Sequence, residues 1–233
     1  KSGLDKVEMI RMFKIAKDSA IKARTQAMNQ MKAIIVTAPA ELREELTRLD
    51  ACRLMDRCAG FRPGSLATPT AAVKHVLRLL ARRHRWLTSE IEGINNELFR
   101  LTTETAPALV DAFGIGPDTA ATLLVTAGSN PERLRSESAF AALCGVSPIP
   151  ASSGKTNRHR LNRGGDRQAN AALYRVVLVR LRYDKRTREY MQRRTGEGMT
   201  KLEVIRCLKR YVARQIYAIL RDPGRKNLAL AAA

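Results

Sequence analysis

Between residues 73 and 101 apolar side chains recur alternately four and three positions apart: Val73, Leu77, Leu80, Leu87, Ile91, Ile94, Leu98 and Leu101, with His84 in the remaining place. A seam held for four heptads predicts a helix of roughly 30 residues, with Thr70 near its start as a cap. Its partner is the first helix of the chain or a copy of itself in another subunit. His84 reads as a polar residue tolerated in the seam, not as a ligand or a switch.

The first helix is expected over Asp5–Val36, where Ile10, Phe13, Ala20, Ile21, Met28, Met31 and Ile35 fall close to helical spacing and Pro39 stops the run. A second helix is expected from Ala40 to about Cys58, then a loop from Gly60 to Ser65. Pro107 interrupts the seam, and the chain beyond it breaks into short apolar pieces separated by Gly and Pro. Further helices are predicted over Arg167–Asp184 and Thr200–Arg221, the last closed by Asp222-Pro223-Gly224. Strand signal is confined to a short pair within Leu143–Arg160. The fold class is therefore mainly α: long antiparallel or coiled-coil helices over 1–105, a helical domain with a helix-hairpin-helix-like motif over 106–225, and a low-complexity tail over 226–233.

Charge changes the picture from fold to partner. The chain of 233 residues carries 42 Lys and Arg against 22 Asp and Glu, a formal net charge of +20. Phosphates supply the missing negative charge, with counterion release adding affinity, so the expected partner is DNA or another nucleic acid. Membrane surfaces also attract basic chains, but no run of about 18 apolar residues is present to span one. Lys1 to Met12 is polar and amphipathic, which argues against a secretory signal and for a cytoplasmic, nucleoid-associated protein. Cys52, Cys58, Cys144 and Cys207 fit no zinc spacing and read as reduced thiols.

Three stretches carry candidate chemistry. Phe113-Gly114-Ile115-Gly116-Pro117-Asp118-Thr119 lies between two apolar helical segments. Such a hairpin leaves free N–H groups at the start of its second helix, where Gly114, Gly116 and Thr119 would grip a phosphate; an ordinary structural hairpin is the alternative. Pro148 to Thr156 is a Pro- and Gly-bounded loop bearing Ser152 and Ser153, followed by Lys155, Arg158, Arg160 and Arg163. A serine hydroxyl becomes a nucleophile only when its proton is accepted or the developing charge is neutralised, and cations around a phosphate do the latter. From the residues alone, a polar loop that touches phosphate is the plainer reading and a nucleophile the sharper one. Gly154-Lys155-Thr156 does not complete a P-loop, because Ile149 stands where that motif needs glycine. From Lys155 to Arg194 there are 13 Lys and Arg but only three acids, Asp166, Asp184 and Glu189. That one-sidedness points to nucleic-acid contact, Arg167 included, with Tyr174, Tyr183 and Tyr190 expected to pack and Asp166 to cap the following helix.

Taken in order, Ala20 to Gln30, Gly114-Ile115-Gly116-Pro117 through Leu143-Cys144-Gly145-Val146-Ser147-Pro148, and Ser152-Ser153-Gly154-Lys155-Thr156 through Arg163-Gly164-Gly165-Asp166 resemble the transposases of insertion-sequence family one-ten, the DEDD transposases. The resemblance implies an N-terminal RuvC-like domain with four acidic metal ligands, then a coiled-coil segment, then a transposase domain with a serine nucleophile. It further implies a structured bridge RNA that guides the choice of DNA. Ser153 matches the nucleophile best, with Ser152 the alternative; Lys155, Arg158, Arg160 and Arg163 would neutralise the scissile phosphate. The chain starts after the position of the RuvC-like domain, so magnesium is expected only with that domain, no cofactor is expected here, and little recombination is expected of this chain alone. Association of copies through the long helices is expected as well.

Overall fold

The computed structural model describes residues 5–128, 134–151, 159–160 and 162–222. Its elements are α1 (Lys6–Val36), α2 (Ala40–Thr47), α3 (Ala51–Ala59), α4 (Pro69–Thr105), α5 (Pro107–Val110), α6 (Pro117–Ala127), α7 (Glu137–Leu143), β1 (Ile149–Pro150), β2 (His159–Arg160), α8 (Arg167–Tyr183), α9 (Lys185–Gly196) and α10 (Lys201–Arg221). The fold is mainly α, as the periodicity predicts. The strands form one antiparallel pair in the register Ile149↔Arg160 and Pro150↔His159. The chain divides into two units, one of residues 15–96 and one comprising 1–14 with 97–233, so the division falls inside both long helices.

In the unit of residues 15–96, α1 and α4 run antiparallel. Ala20 packs with Leu87 and Ile91, whereas Met31 and Ile35, further along α1, share a core with Leu77 and Ala81, nearer the start of α4. Every position of the seam is buried or half-buried, including His84. Burial, then the nearby Arg24 guanidinium, holds the His84 imidazole below its ordinary pKa, which favours its neutral form in the seam.

Two local readings are corrected here. The helix expected over Ala40–Cys58 is two helices, because the Asp50 carboxylate accepts the backbone N–H groups of Cys52 and Arg53 at 3.0 and 2.9 Å and starts α3 afresh. Leu42, Leu46, Leu54 and Cys58 still reach one core. Helix α4 is capped by Thr68, whose hydroxyl accepts the Ala71 N–H at 3.2 Å; Thr70 lies inside the first turn, after Pro69.

In the other unit, α8 is the central helix, packed by α6, α9 and α10. Its buried face is Ala169, Ala172, Leu173, Val176 and Val177, and Leu123 of α6 and Ile216 of α10, the helices packed against it, are buried as well. Helix α10 begins with a capping box in which Thr200 and Glu203 satisfy each other's backbone donors. Helix α9 was not anticipated: it has no apolar period and starts because Asp184, which ends α8, accepts the Thr187 N–H at 2.9 Å. The three tyrosines divide. Tyr190 packs edge-on against Tyr211 with centroids 5.7 Å apart, while Tyr174 and Tyr183 are exposed.

The turn after α7 and the turn before α8 touch backbone to backbone. Gly145 and Gly165 have φ of +65° and +81°, and a Cβ on Gly165 would lie 2.4 Å from the Gly145 nitrogen and 2.7 Å from the Ala142 oxygen. The Asp166 N–H donates to the Leu143 carbonyl at 2.7 Å across the same junction. A side chain here meets rigid backbone and an unfavourable φ at once. Gly165→Ala should therefore lower the unfolding free energy by about 2 kcal/mol or more, read from denaturant midpoints. A midpoint matching the wild type would disprove the close approach.

A cationic cleft as candidate nucleic-acid interface

The junction of the two turns sets the start of α8. The Asp166 carboxylate accepts the N–H groups of Gln168 and Ala169 at 2.7 and 3.2 Å, and its other oxygen accepts the Thr126 hydroxyl at 2.8 Å. Asp166 thus serves as the expected cap. One turn on, Asn170 donates its amide to the carbonyls of Cys144 and Gly145 at 3.1 and 2.8 Å. Both amide protons are engaged, so the amide oxygen faces α10, where it accepts the Lys209 ammonium at 2.8 Å.

Lys209 occupies an apolar stripe. Val204, Ile205, Leu208, Val212, Ala213 and Ile216 are its buried neighbours on α10, and Lys209 itself is 7 % exposed. Among the described residues no carboxylate is placed against its ammonium. Burial, then the adjacent Arg206 cation, lowers its pKa from the ordinary lysine value.

Lys209 lines a cleft of about 900 Å³ between the first half of α10, the end of α9, the segment Gly145–Pro148 and strand β2. Six cationic side chains line it, Arg160, Arg194, Arg206, Lys209, Arg210 and Arg214, against two carboxylates, Glu197 and Glu203. Four arginines have acidic partners. Arg194 pairs with Glu197, Arg206 with Glu203 at 3.8 Å, and Arg210 with Glu137 behind the wall. Arg214 shares Glu137 at 3.4 Å. Burial, then Arg214, lowers the Arg210 pKa, so cations crowd one another on this wall.

The residues singled out in the sequence separate into groups. Arg160 and Arg163 line a smaller pocket with Ile149, Asn162 and Gly164, and Arg160 and Asn162 belong to the main cleft as well. Arg167 is exposed in the first turn of α8. Ser152, Ser153, Lys155 and Arg158 lie outside the described residues. Gly114, Gly116 and Thr119 are not brought to this cleft. Gly114 lies against Arg180, whose Nε donates to the Phe113 carbonyl at 3.0 Å. Asn170 and Arg180 are ten residues apart on α8, about 15 Å along its axis. At the start of α6 the Asp118 carboxylate contacts Lys14 at 2.8 Å and Arg175 at 3.9 Å, so an acid already stands at that helix N-terminus.

Arg206, Lys209, Arg210 and Arg214 were missed by motif reading. The signal for Lys209 was present: a lysine between Ile205 and Val212 interrupts the apolar face of an amphipathic helix. No sequence pattern announces that α10 faces the segments around residues 145 and 160. Among the described residues, no group of three or more His, Cys, Asp and Glu could hold a metal ion, and no helix is long and apolar enough to cross a membrane.

The fold and cleft together define a class: a helical domain with an excess of cations around an open cleft. Its particular likeness is to transposases of insertion elements. Residues 106–192, from the start of α5 into α9, match the model of the Transposase IS116/IS110/IS902 family. The chain is 30 % identical over 118 residues to an insertion element IS110 uncharacterized 43.6 kDa protein of Streptomyces coelicolor, covering 50 % of this chain and 29 % of that one. It is 28 % identical over 151 residues to an insertion element IS900 uncharacterized 42 kDa protein of Mycobacterium paratuberculosis, covering 63 % and 38 %. The chain thus spans roughly a third of the length of these relatives. Helix α10 lies beyond the residues that the family model matches.

The cleft makes a direct test of its own walls. Cys207 lines it and is half-buried, Cys52 is exposed, and Cys58 and Cys144 are fully buried, with burial raising their thiols to about 11 and about 12. In the folded protein a disulfide reagent at mildly alkaline pH should label Cys52 first and Cys207 more slowly, while Cys58 and Cys144 react only on unfolding. Equal labelling of all four thiols without denaturant would contradict this packing.

Proposed function

We propose that this chain is the C-terminal part of a transposase that binds DNA and that, within the complete protein, cuts and exchanges strands through a serine hydroxyl. The observation that carries the reading is the coincidence of the family match over 106–192 with strands β1 and β2, which bracket Ser152 and Ser153 in sequence; β2 lines the cationic cleft, and Ile149 of β1 lines the smaller pocket that shares Arg160 and Asn162 with it. Ser153 is the proposed nucleophile and Ser152 its alternative. In the proposed step the hydroxyl oxygen bonds to phosphorus, a phosphorus–oxygen bond of the DNA breaks, and the departing oxygen takes up a proton. The link holds the strand for rejoining. Arg160 and Arg163, with Lys155 and Arg158, would neutralise charge on the phosphate.

Magnesium belongs to this reading only with an acidic domain elsewhere in the complete protein. Among the described residues Asp166 already caps α8 and accepts the Thr126 hydroxyl, and no group of three or more His, Cys, Asp and Glu could hold a metal ion, so no step is routed through a metal here. A structured guide RNA is part of the same proposal. So is pairing of copies through the long helices, supported by Val76, Leu79 and Trp86, which are exposed along one face of α4.

Supplied with the acidic domain and guide RNA, and offered DNA, the protein should form a covalent adduct that survives denaturation. Ser153→Ala should abolish it; if Ser152 is the nucleophile, Ser152→Ala does so instead. An adduct that persists in the double variant would rule out the serine mechanism. Tight DNA binding with no adduct in any of these proteins would leave a non-catalytic helix-hairpin-helix binding module.

A further inference from the structure

We infer that α10 carries a seat for a phosphodiester of bound DNA, formed by Lys209 with Arg206 and closed on the facing side by Arg160; this rests on the DNA-binding reading above. Lys209 is nine-tenths buried, and among the described residues its one hydrogen-bond acceptor is the neutral Asn170 oxygen at 2.8 Å. An ammonium has three protons to donate, and burying it beside a like charge is unfavourable unless an anion accompanies it. The fold bears that cost at a position where methionine or leucine would continue the apolar face. It also fixes the ammonium: Asn170 is tied to two carbonyls of the turn after α7, so the acceptor cannot rotate away. The cleft wall adds Arg206 on the next turn of α10, and β2 adds Arg160.

The chemistry that fits is a singly charged, tetrahedral oxyanion with two free oxygens, one for a buried point charge and one for arginine. A phosphodiester has this form, and the open groove lets the strand run on in both directions. Since the chain's excess charge is +20 and the neighbouring stretch 155–194 is its most one-sided part, DNA is favoured over an acidic protein segment. Helix α10 thereby becomes a working part of the DNA interface although it lies outside the family match.

The test uses the 233-residue chain, a labelled random-sequence DNA duplex and fluorescence anisotropy across a salt series. Lys209→Met keeps the length of the side chain, removes the charge, and should melt as cooperatively as the wild type. It should weaken DNA binding about 10-fold or more near 0.1 M salt and reduce the log–log salt slope by about one. Arg206→Gln, at a half-exposed position, should weaken binding in the same direction should Lys209→Met disturb the fold. Lys32→Gln, which removes the same charge from an exposed site on α1, should change affinity less than about twofold. In parallel, inorganic phosphate should raise the melting temperature of the wild type and not of Lys209→Met. A folded Lys209→Met variant with wild-type affinity and slope overturns the seat while the DNA reading stands. Loss confined to single-stranded RNA overturns the assignment to DNA. Failure of the wild type to bind DNA at all, with phosphate stabilisation still dependent on Lys209, overturns the DNA reading and leaves an anion seat.

Discussion

The contact on which the C-terminal unit depends is the meeting of two glycine turns without side chains between them. Gly145 and Gly164–Gly165 approach so closely that a single Cβ would strike backbone atoms at 2.4 Å. That approach lets the Leu143 carbonyl take the Asp166 N–H, which places the Asp166 carboxylate under the first turn of α8. Once α8 starts there, Asn170 falls opposite the carbonyls of Cys144 and Gly145, and its oxygen falls opposite Lys209. The electrostatic feature of the cleft is thus the last link of a chain that begins with a steric one. Backbone is the stiffest part of the fold, so the ammonium inherits its position from groups that do not rotate.

Magnitudes explain why the many other charges matter less. The surface pairs, such as Arg100 with Glu97 and Glu104 or Lys185 with Glu189, hold side chains that are largely in water, where solvent screening leaves them little to contribute. Burial changes the scale. Lys209 and Arg180 are 7 % and 8 % exposed, and burial is the main reason that the pKa of each is lowered. Their hydrogen bonds differ in purpose. Arg180 is bound to the Phe113 carbonyl and to the Gln215 amide oxygen at 3.0 and 2.6 Å, which ties the 113–116 turn and α10 to α8. Among the described residues Lys209 meets one neutral acceptor, and it opens onto a cleft. One buried cation fastens the fold, and the other is positioned to meet an anion.

What could be read from the chain follows from how local the signal is. The α4 seam was legible because nine positions repeat one instruction, and all nine are covered. Asp166 as a cap was legible because capping needs only the next three residues. The break at Asp50 was harder: the apolar positions on either side serve one core, so periodicity alone joins α2 to α3. Helix α9 was illegible to periodicity, since eleven of its twelve residues face water at least in part and only Thr187 is buried. Arg160 and Arg163 could be listed as cations near a loop, but not assigned a wall. Their neighbours Arg206, Lys209 and Arg210 come from some 45 residues further on, brought there by the packing of α10 against α8.

The two ends of α8 then favour different phosphate contacts. Near its C-terminal end, the hairpin that resembles a phosphate grip has Asp118 in the first turn of α6, held by Lys14 and Arg175. A phosphate arriving there would meet a carboxylate at the helix pole and two cations already engaged, so the dipole has little left to offer it. At the N-terminal end the balance is reversed: cations outnumber carboxylates along the cleft, one ammonium is buried, and Asp166, which caps α8, is not among the residues that line the cleft. Electrostatic attraction over these distances is set by net local charge more than by the presence of a motif. The hairpin accordingly serves as the brace that Arg180 fastens to α8, and the proposed docking of a nucleic-acid backbone falls to the cleft between α10 and β2.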